Sequence, residues 1–268
     1  MIQSVPQLPG RIVEQSGMCL QVVMMAQKFK KFLAVTCSHG HLADAKATRA
    51  VLEFKKRWKP DLTLHLGDAI DLAAFRAGAM RSPDSADRAA SIAEDFNAGI
   101  NFLRLLEPNV FFVGNHENRV YEHQYSPNAI LAHCATSCLA DLHQVCKDLR
   151  AEIVQYDIMK GWREYGGTLF GHGWMFNEHA VRDHVEMMKK PIVIGHLHRV
   201  DRAAGRSVGA PVGWTIGCLA NVDSMTYARR NRSVTRWQHG IAWGEYNDHD
   251  CIVNVLSPTS SGEWRFPV

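Results

Sequence analysis

Five short clusters of metal-ligand residue types punctuate this chain of 268 residues: Cys37-Ser38-His39, Gly67-Asp68-Ala69-Ile70-Asp71, Gly114-Asn115-His116-Glu117, Gly171-His172 and Gly195-His196-Leu197-His198. Together they offer carboxylates, imidazoles, a carboxamide and a thiol, which is more donors than one four-coordinate ion can use. Two ions are the natural count. A carboxylate shared between ions about 3.5 to 4 Å apart is the arrangement that clamps phosphoryl oxygens and generates hydroxide at neutral pH. Asp68 is the candidate for that shared ligand. Taken singly, each residue has an ordinary structural explanation, a helix cap for the aspartate or a hydrogen-bonded core position for a histidine. The common placement of all five clusters overrides it.

Each cluster immediately follows a short β-rich run, at residues 32–36, 62–66, 110–113, 168–170 and 192–194. In an open α/β sheet the ligand crevice lies beyond the carboxyl ends of the strands, so residues directly after such runs converge although they are distant in sequence. Glycine precedes the ligand residue in four of the five clusters, which permits a tight strand exit and close packing of neighbouring loops. Between the runs, apolar spacing predicts helices over 43–58, 86–106, 129–149 and 178–188. The second is the firmest, with Ala89, Ala93, Phe96, Ile100 and Leu103 on one face. Candidate strands at 241–246 and 251–256 follow. The alternation of runs and helices marks an α/β fold. Residues 1–27 read as an irregular N-terminal segment and 28–268 as a single domain, with no repeat or Pro/Gly/Ser linker to divide it.

Composition sets outer bounds. An apolar share of 46% with 21% charged excludes disordered, collagen-like and coiled-coil classes. A net charge of +3 requires any anion-binding surface to be local. No stretch approaches the roughly 18 apolar residues of a membrane-spanning helix, and no membrane partner is expected. The apolar patch at 20–26 is short and follows Glu14 rather than a basic region, unlike a signal peptide. Seven cysteines without a disulfide rhythm predict a reduced, cytoplasmic setting.

In order and approximate spacing, the five clusters resemble the calcineurin-like metallophosphoesterase family over residues 32–200. The resemblance implies a four-layer α/β sandwich of two β-sheets flanked by helices, with a dinuclear centre at one edge of the sheets. It implies a first metal held by Cys37, His39, Asp68 and His198, and a second held by Asp68, Asn115, His172 and His196. The ions expected are manganese, zinc or iron. By the same resemblance, His116 is a general acid or transition-state stabiliser held in place by Asp71. The expected activity is hydrolysis of phosphate esters, leaning toward phosphodiesters, by a hydroxide bridging the metals. Nucleic acid is a candidate substrate, and a phosphomonoesterase or protein phosphatase is the alternative.

Cys37 departs from the family pattern, which has aspartate there, and three readings stand. A thiolate ligand would favour zinc or iron over manganese and magnesium. A small buried hydrophobe would leave the first metal to His41 or water. A degenerate centre would make the chain a non-catalytic binder of nucleic acid or a partner. Other residues are weighed beside the clusters. Glu117 reads as a helix-start contact rather than a ligand. Arg119 is a candidate phosphate contact, with a surface ion pair as its alternative. Arg229, Arg230 and Arg232, with Arg236, Tyr227 and Trp237, form a dense basic-aromatic stretch suited to a phosphate backbone or to a solvated face. Trp162, Trp174 and Trp214 either line the pocket or pack the core. His133, Cys134, Cys138, His143 and Cys146 resemble a zinc box on paper. On one helix, at about 100° per residue, His143 points nearly opposite to Cys134 and Cys138, so buried helix cysteines are expected instead.

Overall fold

Side chains alternate across strand β1 (Lys30–Val35), and that alternation builds two cores at once. Phe32 and Ala34 face a second sheet, while Leu33 and Val35 face helices. The computed structural model describes residues 28–76, 91–225 and 235–267. In it β1 is joined by β2 (Leu62–His65), β3 (Val110–Phe112), β4 (Glu152–Val154), β10 (Ile241–Tyr246) and β11 (Cys251–Leu256), in the order β11-β10-β1-β2-β3-β4. The run from β1 to β4 is parallel, and β10 and β11 add antiparallel at the β1 edge. The second sheet contains β5 (Trp162–Tyr165), β6 (Thr168–Gly171), β7 (Ile192–Ile194), β8 (Val200–Ala204) and β9 (Val212–Ile216), ordered β5-β6-β7-β9-β8, with β6, β7 and β9 parallel.

The sheets pack face to face. Phe32, Leu64 and Phe112 of one meet Phe170, Val193 and Ile216 of the other in a shared apolar layer. On the outer face of the first sheet, α1 (Ala45–Trp58) and α2 (Ile92–Leu106) cover Leu33 and Val35 with Val51, Phe54 and Leu106. The helices α3 (Asn115–His123) and α4 (Ala129–Asp148) pack with α2 around Phe111 and Val113. On the outer face of the second sheet, α5 (Ala180–Met188) buries Val181 and Val185 against Ile192 and Ile194. The result is the four-layer sandwich of helices, sheet, sheet and helix.

Helix starts are set by capping side chains. Asp44 accepts from the N–H groups of Lys46 and Ala47, so α1 begins at 45 rather than 43. Ser91 accepts from the Glu94 N–H, and α2 begins after it; the expected start at 86 lies outside the described residues. The short β4, β5, β8 and β9 were not expected. Strand β8, Val200–Ala204, is an edge strand of partly exposed residues without the apolar run that marks buried strands. No helix among the described residues is long and apolar enough to cross a membrane.

Candidate metal centre

Register explains why the clusters meet. Val35 pairs with His65, His65 with Phe111, and Gly171 with Ile194, all between parallel neighbours. The chain therefore leaves β1, β2, β3, β6 and β7 in one direction, at one edge of the sandwich. The exits are backbone-strained: Cys37, His39, Asp68, His196 and His198 have φ of 51, 55, 54, 63 and 53°. Non-glycine residues occupy this region only where surrounding contacts over-determine them, a condition typical of functional sites. Gly67, at φ 94°, could carry no side chain, because a Cβ would lie 2.6 Å from His172 Nδ1. At Gly114 a Cβ would overlap the Asp68 carboxylate.

Asp68 is central. Its Oδ2 lies 3.3 Å from His172 Nε2, 3.9 Å from His116 Nε2 and 4.0 Å from His39 Nε2. Donor atoms of Cys37, His39, Asp68 and His198 all lie within 4.8 Å of one another, and so do those of Asp68, His172 and His196. Asn115 Oδ1 joins the second group, 3.0 Å from His172 Nε2 and 2.8 Å from His196 Nδ1. Apart from half-buried Asn115 and His196, these residues are buried.

The donor set fits metal ions. His39 Nδ1 donates to Asp71 Oδ1 at 2.9 Å and His172 Nδ1 to the Leu66 carbonyl at 2.7 Å, so each turns Nε2 inward, and in the neutral ring that nitrogen carries the lone pair a metal ion needs. His39 Nε2 and His198 Nε2 face one another at 3.0 Å. His196 Nε2 and His198 Nδ1 are buried without a hydrogen-bond partner. Burial disfavours charge throughout, yet the neighbouring imidazoles hold Asp68 well below the usual carboxylate range. Burial likewise opposes protonation of His39, but Asp71 and Asp68 outweigh it and raise its pKa.

The family model for calcineurin-like phosphoesterases matches residues 30–212. The chain belongs to the calcineurin-like phosphoesterase family. That membership supports metal-dependent hydrolysis of phosphate esters. No curated protein matches the chain in sequence. Among solved structures, the chain is similar to a conserved Streptococcus pneumoniae protein described as a predicted phosphoesterase, at 15% identity over 91% of this chain and 97% of that one, TM-score 0.38. It is similar also to a metallophosphoesterase from Sphaerobacter thermophilus, at 14% identity over 84% and 88%, TM-score 0.42. A third likeness is to Vps29 from Chaetomium thermophilum, at 11% identity over 88% and 92%, TM-score 0.45.

In this calcineurin-like phosphoesterase His116 stands beside Asp68, with its N–H donating to Asp68 Oδ1 at 3.0 Å. Its Nδ1 bonds the Asp71 carbonyl oxygen at 2.5 Å, and the Asp71 carboxylate lies farther away, at 3.4 Å. The Asp71 backbone therefore grips His116, while the Asp71 side chain serves His39. Burial pushes the His116 pKa down to about 4. Arg119 Nη1 reaches within 3.5 Å of His116 Nδ1. Arg229, Arg230 and Arg232 lie outside the described residues, and Arg236 pairs with Glu178 at 2.9 Å.

Cys37 has two sets of neighbours. Besides the ligand group, it packs with Cys218, Ala220 and Met225 in a small apolar cluster. Burial, reinforced by Asp68, raises its thiol pKa well above the ordinary value. His41 does not stand in for it: His41 Nδ1 lies 3.1 Å from Asp95 Oδ1 and belongs to none of the candidate ligand groups. Glu117 is a helix-start contact and more. Its carboxylate accepts from Gly114 N–H at 2.9 Å and from the Asp68 and Ile70 N–H groups at 3.0 Å, which ties the β2 exit to α3.

Tyr156, Trp162 and Trp174 line a narrow cleft beside His172, whereas Trp214 packs against the core between the sheets. His143 bonds the Tyr121 hydroxyl at 2.7 Å; of the α4 cysteines, Cys146 is buried in the core, while Cys134 and Cys138 are only half-buried and pack against it. Sequence reasoning missed Asp95 and Tyr156, and also the edge-on packing of the Trp237 ring against His198, with centroids 4.4 Å apart. None of these three follows a buried run in the way the clusters do.

Proposed function

We propose that this phosphoesterase holds two metal ions, one by Cys37, His39, Asp68 and His198 and one by Asp68, Asn115, His172 and His196, and hydrolyses phosphodiesters there. The observation that carries the reading is the Asp68 carboxylate, one oxygen of which lies within 4.0 Å of imidazoles from both groups. Such ions, when bound, supply Lewis acidity toward phosphoryl oxygens and a nucleophile at neutral pH. The chain's own groups bind and orient the ester. With its Nδ1 donating to the Asp71 carbonyl, His116 directs Nε2 into the site; burial keeps the ring neutral in the free chain, and the negative charge of a bound phosphate ester favours the imidazolium, the form whose Nε2–H is placed to protonate the leaving oxygen. Arg119 beside it suits a non-bridging phosphoryl oxygen. The diester preference, with nucleic acid as a candidate substrate, rests on this His116 role and on the arginine-rich stretch 229–236. A reducing, cytoplasmic setting is proposed from cysteine usage.

Turnover of bis(p-nitrophenyl) phosphate and p-nitrophenyl phosphate, measured with manganese, zinc, iron and magnesium in turn, tests the activity. Metal-dependent hydrolysis with the diester favoured is expected. No turnover of either ester with any ion contradicts it.

The apolar packing of Cys37 favours a second reading, a non-catalytic binding protein that retains one metal. Metal analysis of the purified chain separates the two: about two equivalents supports the enzyme, and about one supports the binder.

A further inference from the structure

Asp95 lies on the first turn of α2, outside all five ligand clusters, and is only 2% exposed. A buried carboxylate is costly unless its oxygens are hydrogen-bonded. Here the donors come from the two loops that carry the candidate site. Oδ1 accepts from the Asp71 N–H at 3.1 Å and lies 3.1 Å from His41 Nδ1, while Oδ2 accepts from the Leu72 N–H at 2.6 Å. Leu72 has φ 52°, a strained value for leucine, and its bond to Asp95 holds it there. The turn Gly40–Leu42 packs on the same carboxylate so closely that a Cβ at Gly40 would overlap it. Gly40 N–H in turn bonds the Ala69 carbonyl at 2.8 Å, and His39 N–H the Asp68 carbonyl at 3.1 Å. Asp95 thus closes the pair of loops from behind.

A carboxylate on the first turn of a helix ordinarily serves that helix. Asp95 does not: its backbone donors are 24 and 23 residues away, and α2 is capped by Ser91 instead.

We infer that Asp95 is a positioning residue of the centre, fixing Asp71 and through it both the His39 imidazole that faces the first metal and the His116 ring. The route is continuous: Asp95 holds the Asp71 N–H, the Asp71 carboxylate holds His39 Nδ1, and the Asp71 carbonyl holds His116 Nδ1. The inference rests on the phosphoesterase reading for its link to catalysis, and on metal binding alone for its link to His39.

The test uses the full chain with Asp95→Asn, His41→Ala and, as a control on the same helix start, Ser91→Ala. Manganese and zinc affinity by calorimetry, kcat and KM on bis(p-nitrophenyl) phosphate, and the urea midpoint are read for each. Partners behind metal ligands change affinity or activity by about 10- to 100-fold, and Asp95 stands one layer farther out. Asp95→Asn is therefore expected to lose about 10-fold in metal affinity and in kcat with KM nearly unmoved. His41→Ala removes one partner at a partly exposed position and shifts the same quantities by a smaller factor. Ser91→Ala lowers the urea midpoint only. Asp95→Asn and His41→Ala proteins that lose stability but keep wild-type metal affinity and kcat overturn the inference. A wild-type chain that binds metal but hydrolyses neither ester contradicts the phosphoesterase reading alone, because the affinity arm still reads Asp95. A wild-type chain that binds no metal overturns both.

Discussion

His39 Nδ1 lies 2.9 Å from Asp71 Oδ1, with both side chains buried, and this bond turns His39 Nε2 toward Asp68 and His198. A carboxylate behind a ligating imidazole fixes its tautomer and raises its basicity. Asp71→Asn is expected to weaken metal binding by about 10- to 100-fold, measured by calorimetry. Unchanged affinity would show that the bond only packs the core.

The His116 ring packs edge-on against His39 with centroids 4.5 Å apart, and its backbone N–H donates to Asp68, but it belongs to neither of the two proposed ligand sets. His116→Ala is expected to lower turnover of diesters with poor leaving groups by about 100-fold or more, the usual contribution of a general acid, while metal content stays at the wild-type level. Activated aryl diesters, whose leaving groups need less help, are affected less. Equal turnover of both substrate types in mutant and parent would remove His116 from the chemistry.

Cys37→Asp tests the thiol. A thiolate ligand favours softer ions, whereas a carboxylate suits manganese and magnesium. The substitution is expected to shift the activating ion from zinc or iron toward manganese. A metal preference that stays put identifies Cys37 as part of the apolar cluster with Cys218 and Met225.

Glu117 satisfies three backbone N–H groups in the interior. Each donor left bare costs about 1–3 kcal/mol, so Glu117→Ala is expected to lose about 3 kcal/mol or more in urea unfolding. A loss below about 1 kcal/mol would mean that water replaces the carboxylate freely.

His184, buried between α5 and the β6 exit, donates through Nδ1 to the Ala180 carbonyl and accepts from the Trp174 N–H through Nε2. Burial lowers its pKa from 6.5. Below that value the unfolded chain binds a proton that the folded chain does not, so stability is present at neutral pH and is lost as pH falls through 6.5. Urea midpoints at pH 7.5 and 5.5 should differ less in His184→Gln than in the parent. Equal differences would exclude His184 as a source of the acid sensitivity.

The fold and the meeting of the clusters were legible because both rest on local patterns. Buried runs such as those ending at Val35 and His65 mark parallel strands, and whatever follows them lands on one edge. Chain-distant partners were not legible. Nothing near Asp95 in the sequence points to Asp71 or Leu72, because that pairing depends on how α2 lies across the β2 exit. The division of labour within Asp71, side chain to His39 and carbonyl to His116, likewise depends on loop geometry that spacing does not encode. The edge strand β8 lacks the apolar run on which sequence reading depends.

An anomalous-difference map from a crystal of this chain soaked in manganese or zinc reads the central proposal directly. Two peaks are expected on either side of the Asp68 carboxylate, one among Cys37, His39 and His198 and the other among Asn115, His172 and His196. A map without density at Asp68, or with its peaks at other residues, would contradict the account.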